Sequence, residues 1–375
     1  MTVLLWVVLT PLALCVAAVA LVFLVAIVRG LARDVRTDPA TEETAARVAA
    51  LGLLPAERQH TELAAPLSPA LSVALASARA GDWEPAAELL AATLETPDWE
   101  GRSALAERLA DLAAEEDGWL RAWEEARPAD PGAALVRARG TVFLAWNVRG
   151  GARDEDTTAE QTEAFRRVLA RSREEHVRAV ALARADDPSP YVAEIWTALG
   201  LGLPHEELRK LWREVVDRAP HHYEAHFAAL QYWCAKWCGS AELARAFAVR
   251  AAAGAPPGSL MAALPLIAHF EHDTSDTTDA DRTPEMYAAV DALLADVAAA
   301  DPAHPRLPEA RHLLAYYLWL QDRHAAAMEQ FRLVDGYVGA LPWRYKTDPA
   351  EEFCRARDDC AGHVPDGESG PSPRR

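Results

Sequence analysis

ALASARAGDWEPAAELLAATLETP, residues 74–97, decides the fold class. Ala74, Leu75 and Ala78 recur at three- and four-residue spacing, as Ala86 and Leu90 do after the turn, which is the period of a helix with one buried face. Gly81-Asp82-Trp83 interrupts the pattern, and Asp82 stands where a cap for the next helix belongs, with Pro85 in its first turn. Pro97 closes the unit. The stretch therefore reads as two antiparallel helices joined by a tight turn.

The same reading extends outward in both directions. Val/Ile/Thr alternation is scarce, and apolar spacing predicts helices at 40–51, 69–79, 83–95, 99–115, 117–126, 132–149, 158–185, 189–200, 204–218, 221–237, 241–253, 259–270, 284–299, 307–320 and 323–335. Thr283 before Pro284, and Ser259 after Pro256-Pro257-Gly258, are read as helix starts. The fold class is all-α, and the pairs repeat in the period range of α-solenoids. Gly81, Gly239 and Asp322 each precede a small residue (Ala86, Ala244, Ala327) by five positions, and Leu90, Ala248 and Phe331 follow four later. In this the chain resembles the tetratricopeptide repeat, which implies a solenoid of antiparallel helix pairs over residues 67–360. Residues 132–185, with longer helices and the polar loop GGARDEDTT, depart from that pattern.

VLLWVVLTPLALCVAAVALVFLVAIV, residues 3–28, carries no charged side chain. As a helix it would be about 40 Å long, against a hydrocarbon core of ~30 Å. No basic residue precedes it, which argues against a cleaved secretory signal. Residues 1–30 are therefore read as a transmembrane anchor and 31–66 as a juxtamembrane helix and linker. Arg29, Arg33 and Arg36 follow the span, so the C-terminal domain is expected in the cytoplasm of a single-pass protein of the cell membrane. From about 361 the chain is polar and reads as a disordered tail, 361–375.

The net charge is -18, and lysine stands only at Lys210, Lys236 and Lys346. That balance gives no footprint for nucleic acid. Cys15 lies in the apolar run, and Cys234, Cys238, Cys354 and Cys360 are too few to staple a secreted scaffold of this size.

APHHYEAHFAALQYWCAKWCGS, residues 219–240, concentrates aromatic, His and Cys side chains. Its turn, Lys236-Trp237-Cys238-Gly239-Ser240, resembles one that joins two helices in a family of uncharacterised bacterial helical-repeat proteins. The likeness spans roughly 190–270 and implies no activity. Gly239 is expected in the left-handed region and Ser240 as the next cap. Trp233 and Trp237, four apart, would share a helix face. One reading makes this segment the tight corner and core of a hairpin. Another places Tyr223, His226, Trp233, Lys236 and Trp237 on a concave wall that binds a protein or peptide. A third brings Cys234, Cys238, His269 and His272 together as zinc ligands. His222 to His226 is not the HExxH arrangement, and no phosphate loop, dinucleotide fingerprint or nucleophile elbow occurs. The expectation is a membrane-anchored cytoplasmic scaffold for a protein or peptide partner, without cofactor or catalysis. The alternative is a zinc-binding or enzymatic helical protein centred on residues 222–272.

Overall fold

In the computed structural model, residues 39–150, 158–275 and 277–364 are described, and the regular structure in them is helical. The apolar run 3–28 and its flanking arginines lie outside the described residues, within which no helix is long and apolar enough to cross a membrane. The chain divides into residues 1–54 and 55–375. The first unit contributes α1 (Pro39–Ala50).

The second unit holds α2 (Pro69–Arg79), α3 (Glu84–Glu95), α4 (Trp99–Glu115), α5 (Gly118–Ala126), α6 (Pro131–Arg149), α7 (Ala159–Leu182), α8 (Ser189–Leu201) and α9 (His205–Val216). These are followed by α10 (Tyr223–Trp233), α11 (Ala241–Ala253), α12 (Ala263–Phe270), α13 (Pro284–Ala299), α14 (Leu307–Leu320), α15 (His324–Val334) and α16 (Pro349–His363). The even-numbered helices from α2 to α16 each pack on the next even-numbered one, and the odd-numbered helices lie against them as a second layer. All-α is thus correct, and two layers of helix form the domain.

Local chemistry explains the elements. Ser68, Ser240 and Thr283 accept hydrogen bonds from the amides of Leu71, Leu243 and Met286, so three helix starts are capped by their own side chains. Leu71, Leu75, Leu90, Leu109 and Leu120 bury their side chains with Trp119 and Trp123 between α2 and α6. Each such leucine contributes about 1.5–3 kcal/mol by leaving water. Small residues set the helix spacing: a Cβ on Gly140 of α6 would stand 3.3 Å from the Ala110 carbonyl oxygen of α4.

Four local expectations need correction. The segment 221–237 is not one helix: α10 stops at Trp233, and Trp237 lies beyond the turn, against Trp146 at 5.4 Å. Ser259 does not open a helix, because Leu260 takes a left-handed φ of 63° and α12 starts only at Ala263. The last helix was not anticipated at all, and it runs to His363 with Ala361 buried, past the boundary read from composition. Gly239 is not left-handed; it is required because a Cβ there would collide with the Trp233 carbonyl. Backbone, not a flexible side chain, would have to yield, so Gly239→Ala should cost about 3 kcal/mol or more. A urea midpoint within error of the parent's would refute this.

The row of helices turns back on itself. In segment 55–64, a short 3-10 turn (Ala56–Arg58) packs on α16, and His60 forms a parallel bridge with Tyr337. The Gln59 side chain donates to Asp335 at 3.0 Å and accepts from the Gly336 amide at 2.8 Å. His312 of α14 reaches the Ala64 carbonyl and receives the Trp343 indole N–H at 3.2 Å. The start of the domain is thereby fastened to its last helices.

Candidate functional site

This closure converts the inner face of the even-numbered helices into a cavity of about 390 Å³. α6 presents Arg139, Val142, Phe143 and Trp146, at i, i+3, i+4 and i+7. α8 adds Trp196 and Leu199, and α10 adds Tyr223, Glu224, Phe227 and Gln231. Glu107 and Arg108 come from α4, Arg306 and Glu309 from the start of α14, and Arg344 and Tyr345 from the loop before α16.

One end of the cavity is a lattice of alternating charges. Arg306 pairs with Glu107, with Glu224 at 3.2 Å and with Glu309 at 2.8 Å. Arg139 pairs with Glu224, and with Glu107 at 3.3 Å. Burial alone would raise the Glu107 carboxyl, but Arg306 and Arg139 outweigh it and hold the group at about 2. The same carboxylates raise Arg306 well above its ordinary value against the opposing effect of burial. Mutual neutralisation holds the five side chains of this lattice in place. Arg139 nevertheless has its Nε–H without an acceptor among the described residues.

The other end is aromatic. Trp146 meets Phe165 at 4.9 Å and Trp237 at 5.4 Å, both edge-on, and Trp196 lies 6.0 Å from Phe227. Lys236 fixes the turn that carries Trp237: its Nζ donates to Glu271 at 2.7 Å and to the Tyr345 hydroxyl at 3.2 Å. Arg108 and Arg344 differ from the lattice arginines, since neither guanidinium makes a hydrogen bond or ion pair among the described residues.

The five residues singled out by sequence fall on two faces of α10 and its turn. Tyr223, Lys236 and Trp237 line the cavity. His226 and Trp233 face a second recess of about 360 Å³ with Trp212 and Phe247. His226 is packed edge-on to Trp212 at 4.8 Å, and burial pushes its imidazole down to about 4. Trp119 and Trp123 are core. Arg139, Trp146, Trp196, Glu107, Glu224 and Arg306 were not anticipated. For Arg139 and Trp146 the signal was a stripe of charged and aromatic residues along one face of α6.

The four side chains considered for zinc do not converge. The Cys234 thiol donates to the Leu230 carbonyl at 3.2 Å, and burial pushes it up to about 12. His272 uses both ring nitrogens, accepting from the Ala235 amide and donating to the Ala268 carbonyl. His269 pairs with Asp281 at 3.0 Å, and Cys238 lies on the opposite side against Leu199. The groups whose ligating atoms come within a metal's reach among the described residues are His269, Asp273 and Asp281, and His324, Asp359 and His363. No known protein family, curated protein or solved structure matches the chain.

Proposed function

We propose that this protein is a tetratricopeptide-like helical-repeat scaffold, anchored in the membrane by residues 3–28 with its helical domain in the cytoplasm, and that its cavity binds a segment of a polypeptide partner. One observation carries the reading: distant helices, α4, α6, α8, α10 and α14, converge to join an aromatic wall to a fixed charged floor. The volume is near the small end of enclosing pockets, large enough for a few side chains of an extended segment and too small for a folded element. Stacked inner helices are the surface that hairpin repeats use for such segments. Binding is favoured over bond-making by the state of the reactive groups. Glu107, at about 2, has no proton to give at neutral pH. The thiols of Cys234, Cys354 and Cys360, at about 12, stay protonated.

The test places a photo-crosslinking residue at Phe227 in the full-length protein in native membranes, with the exposed Val177 as control. A discrete polypeptide adduct from position 227, absent from position 177, is the expected result, and deletion of residues 1–30 should release the domain from the membrane fraction. Identical adducts from both positions, or none from 227, would defeat the binding reading. Retention of the truncated protein on membranes would defeat the anchor.

A further inference from the structure

Resting on that polypeptide-binding reading, we propose that the cavity selects a segment in which an acidic side chain adjoins an aromatic one. The chain as a whole carries -18, which by itself would recruit basic partners. The cavity is charged differently. Its buried arginines, Arg139 and Arg306, are spent on Glu107, Glu224 and Glu309. What remains to meet a ligand is Arg108 and Arg344, both lining the space and neither within ion-pair distance of a carboxylate among the described residues, with Glu62 on the same lining and with Glu107 and Asp111 near enough to attract Arg108. A guanidinium beside apolar walls binds a carboxylate through charge-assisted hydrogen bonds, strengthened where water is partly excluded. A lysine or arginine entering here would meet like charge instead.

The second half of the recognition is the wall of Trp146, Trp196, Phe227 and Trp237. Its ring pairs run edge-on or tilted, between 54° and 83°, the arrangement that aromatic rings prefer and that one more ring would extend. An acid-aromatic pair therefore uses both ends of the cavity at once. The arrangement also sets an unusual salt dependence. Long-range repulsion between an acidic segment and an acidic protein is screened by salt, whereas contacts inside the cavity are screened less. Association should therefore quicken as salt rises from low values, the reverse of a basic ligand.

The experiment uses the full chain in detergent and randomised hexapeptides, acetylated and amidated so that no terminal charge contributes. Pools carry a central Glu-Phe, Gln-Phe or Lys-Phe. The Glu-Phe pool should bind at least tenfold more tightly than the Gln-Phe pool, and the double variant Arg108→Gln/Arg344→Gln should erase that difference. Equal binding of the Glu and Gln pools, preference for Lys-Phe, or no binding of any pool overturns the inference. If the Phe227 adduct still forms in that event, polypeptide binding stands and only the acid-aromatic selection falls; if the adduct is missing too, both fall.

Discussion

Acidification from pH 7 to pH 4 should unfold the helical domain, because three histidines are buried in the neutral form. His176, His226 and His312 are at most 5 % exposed, and burial is the leading cause that pushes each down to about 4. In the unfolded chain they titrate near 6.5. Between those values the unfolded state holds a proton on each ring that the folded state lacks, so stability falls as pH drops below about 6.5 and stops falling near 4. Each ring is worth about 3 kcal/mol over that window, and three together approach the whole stability of a typical domain. His312 shows the cause at atomic level. Trp343 donates its indole N–H to Nδ1, which leaves Nε2–H to donate to the Ala64 carbonyl. A second proton on Nδ1 would face another N–H. Glu107 acts in the same direction lower down: its folded value of about 2 lies below the ordinary 4.5, so its contribution is lost as pH falls from about 4.5 toward 2. Urea midpoints followed by helical circular dichroism across pH 7 to 4 measure the effect. A midpoint that stays flat to pH 4.5 would refute it, and His312→Gln should flatten part of the slope.

The helical architecture of the described residues was legible because it is written in local period. The quoted hairpin emerges as Pro69–Arg79 and Glu84–Glu95, with Asp82 accepting from the Glu84 amide at 3.2 Å. Periodicity misled where a turn keeps the spacing of a helix. Trp233 and Trp237 are four apart, yet the chain doubles back between them, with the Cys238 amide donating to the Tyr232 carbonyl and Ser240 to Trp233. It was silent on α16, whose FCRARDDC reads as a polar surface. Arg357 there is 1 % exposed and is neutralised by the buried Asp335 and by its neighbour on the same helix, Asp358. Part of the cavity lining was visible, since Tyr223, Lys236 and Trp237 belong to one dense segment. The rest was not, because the Arg306 contacts with Glu107 and Glu224 span 199 and 82 residues. No local pattern reports a pairing made only after the helices have stacked.

Another such hidden pairing should carry the largest single-residue effect. Arg102 of α4 and Asp187, just before α8, meet at 2.9 Å with both side chains 1 % exposed. The pair does more than neutralise itself. Arg102 also donates to the Leu90 carbonyl of α3 at 3.0 Å and to the Thr93 hydroxyl at 3.3 Å, and Asp187 accepts from the Ser189 amide at 2.8 Å. One ion pair thus ties α3, α4 and the start of α8 together. Arg102→Met leaves Asp187 as an uncompensated buried charge and should destabilise by about 3–5 kcal/mol. Asp187→Asn keeps an acceptor for Ser189 but strands the guanidinium, and should cost about as much. The double variant removes both charges, so its loss should fall short of the sum of the singles by about 1–3 kcal/mol. Strict additivity in urea unfolding would mean that the two charges do not feel each other, and that the helices are held together by apolar packing alone. A marked coupling shows that this contact is one fastening between the first helices and α8, beside the packing of Ala193, and neither helix period nor net charge could have indicated it.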